Sequence, residues 1–203
     1  MLPDYKSELS RRDPLLGSVI QNIEITRSKP DVTLFESLVK SVVFQQLSGK
    51  AAGTIYNRLA GVCEGQIHPE SILNKDVETL RRAGLSASKT EYVRNIARFA
   101  LDYGLEEDKL VQMGDEELIT YLTQIKGVGR WTAEMLLMFH LMREDVLPLD
   151  DLVIRNRMKL LYKIDRLTRR KENLALLELA ESWRPYRSIA CLYLWKSDFT
   201  QYL

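Results

Sequence analysis

Residues 125–133 read Ile-Lys-Gly-Val-Gly-Arg-Trp-Thr-Ala, and residues 147–157 read Leu-Pro-Leu-Asp-Asp-Leu-Val-Ile-Arg-Asn-Arg. Gly127 and Gly129 bracket Val128 between two segments with helical periodicity. A turn that tight lets main-chain N–H groups at the start of the second helix face an anion, and the helix dipole adds to the attraction. Beyond that helix stand the paired carboxylates Asp150 and Asp151. Gly-x-Gly alone is ordinary turn chemistry, and an Asp pair after Pro148 is an ordinary helix cap. A phosphate grip followed by an acid points to chemistry on a nucleic acid.

The chain has 203 residues, 45% hydrophobic and 28% charged, enough for a sizeable core in one domain or two small lobes. Its formal charge is only +1, so a DNA-binding face must be a local patch balanced by acid elsewhere. Arg155, Arg157 and Lys159, with Lys126 and Arg130 upstream, are expected to form that patch. Glu106, Glu107, Asp108, Asp115, Glu116 and Glu117 are expected on the far side. Cys63 and Cys191 are too few for a four-thiolate iron–sulfur cluster or a Cys-rich zinc site, and they form no secreted disulfide framework. His68, read as a loop residue, and His140, read as a helix residue, make no metal-ligand pair. No apolar run approaches membrane-spanning length and the first residues form no signal or transit peptide, so a membrane partner and secretion are not expected.

Most of the chain reads as helices separated by short polar breaks. Asp13-Pro14 opens an early helix, and Asp31 or Thr33 caps a long one carrying Leu34, Phe35, Leu38, Val39, Val42 and Val43. The Gln45 to Gly49 segment interrupts it. Helices follow over Lys50–Leu59, Ser71–Arg82 with Gly84 after its end, and Lys89–Tyr103, opened by Ser88. Gly114-Asp115 opens the first helix of the hairpin and Arg130 or Trp131 the second, with the hairpin at about 115–142. Leu174–Trp183 and Ser188–Phe199 close the chain.

The hairpin with Asp151 resembles the helix-hairpin-helix family of DNA glycosylases, and its alkylpurine branch in particular, the 3-methyladenine DNA glycosylase II and yeast-type enzymes. That branch also shows a Gln-Leu segment, here Phe44-Gln45-Gln46-Leu47-Ser48-Gly49-Lys50-Ala51-Ala52, and a Trp-x-Pro-aromatic-Arg-Ser motif with a later tryptophan, here Trp183-Arg184-Pro185-Tyr186-Arg187-Ser188 and Trp195. The three motifs span roughly residues 30 to 197 in the family's order. The resemblance implies an all-α fold, two interlocked helical lobes with the DNA cleft between the hairpin and the Gln45 region. It treats residues 1–203 as one compact unit, the N-terminal segment packing with the C-terminal helices.

Several roles follow from the resemblance. Asp151 takes the place of the catalytic aspartate, leaving Asp150 as the expected cap of the helix through Arg155. One carboxylate can stabilise an oxocarbenium-like sugar and take a water's proton, and a cationic alkylpurine leaves without a second acid. Relatives that also cut the backbone place a nucleophilic lysine where this chain has Trp131, so a glycosylase without lyase activity is implied. Trp131 and Trp195 match aromatics of the base pocket, where an indole face attracts a cationic base. Some relatives carry tyrosines where this chain has Met135 and Leu152.

Leu47 is the expected wedge that fills the stack after base flipping, with Gln45 and Gln46 at minor-groove edges and Ser48 at the groove or phosphate. Gly127, Val128, Gly129 and Arg130 are the expected phosphate grip. The main-chain carbonyls of Thr123, Ile125 and Val128 can hold a structural monovalent cation. No cofactor is required on this reading and no iron–sulfur cluster is expected. The implied partner is double-stranded DNA with alkylated purines such as 3-methyladenine and 7-methylguanine, bound by a monomer in the nucleoid and cytoplasm of a prokaryote or the nucleus of a eukaryote. The alternatives are a non-catalytic helix-hairpin-helix DNA-binding module, and a glycosylase of this fold for another damaged base.

Overall fold

Local capping chemistry places most helix starts in the computed structural model, which describes residues 4–165 and 167–198. Asp4 accepts the Ser7 N–H ahead of α1 (Tyr5–Arg12), and Asp13 accepts the Leu16 N–H ahead of α2 (Pro14–Ile20). Pro14 stands at the first turn, where a missing N–H costs nothing. Thr33 caps α3 (Leu34–Phe44), whose Leu38, Val39, Val42 and Val43 are buried. Ser48 caps α4 (Gly49–Val62), His68 caps α5 (Pro69–Leu73), Asp76 caps α6 (Val77–Arg82) and Ser86 caps α7 (Ala87–Asp102). Then come the short α8 (Glu107–Leu110), α9 (Asp115–Leu122) and α10 (Arg130–Phe139). Asp151 caps α11 (Leu152–Leu161). The chain continues through α12 (Arg169–Ala180), a 3-10 turn at Glu181–Trp183 and α13 (Arg187–Lys196). Every regular element among the described residues is helical.

These helices divide into two compact units. One comprises Lys29–Leu141, and the other the described residues of Met1–Ser28 and Met142–Leu203. In the first, α3 lies against α4, α7 and α10, α7 also carries α5 and α6, and α9 packs on α10. Leu38, Val42, Val93, Ile96, Leu122, Ala133 and Leu137 are fully removed from solvent there, which makes α3 the core helix of the unit. In the second, α1 packs on α2, α13 on α2 and α11, and α12 on α11. The N-terminal segment thus shares a unit with the C-terminal helices.

One polar knot organises the second unit. Asp13 Oδ2 accepts the indole N–H of fully buried Trp183 at 2.8 Å and the hydroxyl of Tyr162, while Oδ1 caps α2 at 3.0 Å. Burial, reinforced by that carboxylate, pushes the Tyr162 phenol well above its ordinary range, so the hydroxyl keeps its proton and donates. Trp183, the first residue of the Trp-x-Pro motif, is therefore an anchor.

Several boundaries differ from the sequence reading. The stretch Ser71–Arg82 is two helices, because Asp76 accepts the Thr79 N–H at 2.7 Å and restarts the chain. The Lys50–Leu59 helix extends over Gly49–Val62, and the opening serine of α7 is Ser86, not Ser88. The helix expected at Leu174–Trp183 begins earlier, at Arg169, and gives way to the 3-10 turn. The last helix runs over Arg187–Lys196, and the end expected at Phe199 lies outside the described residues. Helices α1 and α8 were not expected, since each buries a single leucine, Leu9 and Leu110. His68 is a helix cap, and His140 is the C-cap of α10.

Asp13→Ala tests the knot. The substitution removes a cap and leaves a buried indole N–H and a phenol without their acceptor, which should cost about 2–4 kcal/mol in denaturant unfolding. A loss under about 0.5 kcal/mol would show that the knot is not an organising contact.

Candidate active site

The segment from Leu147 to Asp151 is too short to fold alone, and its shape comes from contacts on both sides. The Asp151 N–H donates to Pro148 O at 3.0 Å, closing a turn at the proline. Asp151 Oδ1 then accepts the main-chain N–H groups of Val153 and Ile154, both at 2.9 Å, as an N-cap does. The same oxygen accepts the indole N–H of Trp195, on α13, at 3.1 Å. Three donors from two helices thus converge on one oxygen of a carboxylate that is 9% exposed. Asp150 is the correction: it caps nothing and makes a 3.4 Å exposed pair with Arg169. Cap and candidate catalyst are the same residue, Asp151.

The surrounding side chains hold this turn rather than a ligand. Arg155, expected in the DNA-binding patch, is 2% exposed; it donates to Leu149 O at 3.1 Å and to Asn173 Oδ1 at 2.6 Å, and pairs with Glu172 at 2.6 Å. Lys159 pairs with the same carboxylate at 3.0 Å. Lys159, then Arg155, holds the Glu172 carboxyl below the usual range. Arg157 donates to Leu194 O, tying α11 to the turn of α13 that carries Trp195. Arg187 binds the Asp145 carboxylate at 2.7 and 3.1 Å, and Ser188 accepts the Val146 N–H at 2.9 Å. The Arg-Ser motif therefore staples residues 145–146, just before the Asp151 turn. None of these positioning roles is visible in local sequence.

In the other unit, α9 and α10 form the hairpin. Val128 N–H donates to Ile125 O at 2.9 Å, and α10 begins after Gly129 with no side-chain cap on its first turn. Gly127 has φ +105, and a Cβ there would lie 2.2 Å from Tyr92 Cγ on α7. Both the conformation and the packing demand glycine. Asn95 donates to Lys126 O at 3.3 Å, so α7 backs the turn from a second side.

The side chains of the expected patch are again engaged. Lys126 pairs with Glu91 at 2.7 Å, and Arg130 with Glu116 at 2.5 Å and Glu134 at 2.9 Å. Glu116 leads the contacts that push the Arg130 guanidinium further above its ordinary range. Glu116, expected on the far side, stands beside the hairpin.

The Gln45–Ser48 segment leaves α3 by a turn in which Gln46 adopts φ 57. Lys89 donates to Val43 O at 2.7 Å and Gln45 O at 2.8 Å, stabilising the negative end of the helix. Burial lowers the Lys89 ammonium from its usual range. Gln45 is half-buried; its amide donates to Thr132 Oγ1 at 3.0 Å and approaches Gly127 O at 3.5 Å. It couples this turn to the hairpin. Gln46, Leu47 and Ser48 are exposed, and Leu47 presents 40% of its surface.

Beside this turn, α3 and α10 enclose a cavity of about 440 Å³ lined by Lys40, Phe44, Trp131, Met135, Phe139 and His140 among others. That lies in the range of small-ligand sites. Trp131 is 37% exposed on its wall. The two sequence-identified tryptophans thus have different surroundings: Trp131 lines a cavity, and Trp195 holds a carboxylate.

Residues 39–185 match the HhH-GPD superfamily of base excision DNA repair proteins, and the chain belongs to that family. It is 38% identical over 188 residues to DNA-3-methyladenine glycosylase 1 of Schizosaccharomyces pombe, covering 91% of this chain and 79% of the relative. A structure of the S. pombe 3-methyladenine DNA glycosylase in complex with abasic DNA superposes with a TM-score of 0.80 at 36% identity, over 96% of each chain. A Bacillus halodurans DNA-3-methyladenine glycosidase gives 0.83 at 36% identity, over 96% of this chain and 88% of that one.

Two alanine variants separate the hairpin's fold from its surface. Gly127→Ala must adopt an unfavourable φ and displace the Tyr92 ring, so it should lose about 2–3 kcal/mol of stability. Gly129→Ala meets no atom within 4 Å and should melt close to wild type. Equal melting of the two would contradict this geometry.

Proposed function

We propose that the protein is a monofunctional DNA glycosylase that excises alkylated purines, 3-methyladenine and 7-methylguanine, and leaves an abasic site. One observation carries the reading: the Asp151 carboxylate, at the family's acid position, is held at the N-terminus of α11 by three N–H donors on one oxygen. Membership of the HhH-GPD superfamily and the names of the relatives support it.

On this reading the target nucleotide is flipped out of the duplex and Leu47 occupies the vacated stack, with Gln46 and Ser48 beside it. The turn that opens α10, from Gly127 to Arg130, takes a phosphate through its main-chain N–H groups other than that of Val128, which is held by Ile125 O, and this fixes register without reading sequence. The flipped base enters the cavity beside Trp131, whose indole favours a cationic purine. As the N-glycosidic bond lengthens, positive charge develops on the sugar and the departing base becomes neutral. Asp151 offsets the sugar charge and takes a proton from the water that adds to the anomeric carbon. Trp195 and the α11 amides keep the carboxylate in place, so no reorganisation is needed at the moment of reaction.

Trp131 has no amine to form a Schiff base, so the DNA strand stays intact. The Thr123, Ile125 and Val128 carbonyls suit a monovalent cation: Thr123 closes α9 at the negative end of its dipole, and all three are hard oxygen donors. A bound cation would supply charge toward the phosphate. No redox or metal cofactor enters the chemistry proposed. The working form is a monomer on double-stranded DNA, in the nucleoid and cytoplasm or in the nucleus. No helix among the described residues is long and apolar enough to cross a membrane.

Asp151→Asn is the informative variant, because asparagine caps helices as well as aspartate does and can keep all three N–H contacts. Only the charge is lost. Excision from methylated DNA should fall about 10²–10³-fold while melting and lesion-DNA affinity stay close to wild type. Full activity in Asp151→Asn would overturn the mechanism. Reaction in borohydride should trap no protein–DNA adduct, and a trapped adduct would implicate a lysine nucleophile, Lys126 first.

A further inference from the structure

Two buried polar side chains line the cavity between α3 and α10, and the mechanism above does not use them. Ser37 and His140 line it and are 9% and 1% exposed, whereas Trp131 and Phe139 are 37% and 44% exposed at its mouth. Ser37 Oγ lies 2.8 Å from His140 Nδ1, and His140 Nε2 lies 3.0 Å from Glu107 Oε2. Lys29 donates to the other oxygen of Glu107. That hydrogen bond leads the effects that hold the Glu107 carboxyl below the usual range.

We propose that Ser37 determines base specificity in this pocket: His140 and Glu107 force its hydroxyl to present an acceptor to the bound base, which selects alkylated purines whose Watson–Crick edge keeps an N–H donor. The proposal rests on the glycosylase reading above.

The polarity follows link by link. A carboxylate only accepts, so the proton on His140 facing Glu107 sits on Nε2. With that tautomer of the neutral imidazole, Nδ1 carries a lone pair and the hydroxyl 2.8 Å away donates to it. Ser37 has one O–H, so what remains for a ligand is its oxygen lone pairs. A flipped nucleoside enters with its sugar at the mouth, and the edge remote from the glycosidic bond goes deepest. For a purine that is the Watson–Crick edge. Alkylated adenine offers the N6 amine there, and alkylated guanine offers N1–H. An adduct bridging N1 and N6, such as 1,N6-ethenoadenine, has no N–H on that edge and presents etheno C–H groups with the N6 lone pair, so the buried Ser37 acceptor is left without a donor, which is unfavourable.

The test compares single-turnover release of 3-methyladenine and 1,N6-ethenoadenine from defined duplexes by wild type, Ser37→Ala and Ser37→Thr, with thermal melting as a fold control. Wild type should release 3-methyladenine at least about tenfold faster, after allowing for the intrinsic labilities of the two glycosidic bonds. Ser37→Ala should slow 3-methyladenine release about tenfold and leave ethenoadenine release unchanged or faster, and Ser37→Thr should restore the preference. Equal slowing of both lesions by Ser37→Ala would make Ser37 a packing residue and overturn the assignment. Wild type releasing ethenoadenine as fast or faster would mean that Ser37 offers no acceptor, and would overturn it too. Those results leave the glycosylase reading standing; release of neither base by wild type would overturn both.

Discussion

Three N–H groups meet on one carboxylate oxygen of Asp151, and much of the unit that contains it acts to keep them there. Two belong to the first turn of α11 and one to Trp195, so the carboxylate joins two helices. The helices are in turn joined by Arg157 to Leu194 O, while Arg155 and the Arg187–Ser188 pair fix the approach to the turn on either side. A helix cap is an economical place for a reactive carboxylate. The contacts that orient it are those that start the helix, so loosening it would also cost fold stability.

How much of this was legible in the residues depended on the range of the interaction. The hairpin was readable because Gly127 and Gly129 are adjacent to the helix they open, and the structure adds why Gly127 cannot change: Tyr92, far along the chain, occupies the space of its Cβ. The sequence assigns the cap to Asp150 and the acid to Asp151; the Pro148 turn places Asp151 itself at the N-cap, so the cap assignment is the one that changes. At α7 the N-cap is likewise shifted, to Ser86 from the expected Ser88.

Within the expected basic patch, Arg155 is buried in the fold. Arg155, Lys159, Lys126 and Arg130 read as a DNA-facing surface, yet each is paired with a carboxylate that local sequence does not place beside it. Long-range pairing of this kind leaves no periodic trace. Gln45 shows the converse. The residue was found from the motif, but its half-buried amide serves the hairpin, and the exposed residues of the turn are Gln46, Leu47 and Ser48.

Base release separates an enzyme from a module that only binds DNA. The direct measurement is incubation of the wild-type protein with methylated duplex DNA, followed by chromatography of the released bases and electrophoresis of the strands. Free 3-methyladenine and 7-methylguanine are expected, with strands that break only after alkali or heat. Tight binding of the methylated duplex with no base released would contradict an enzymatic role.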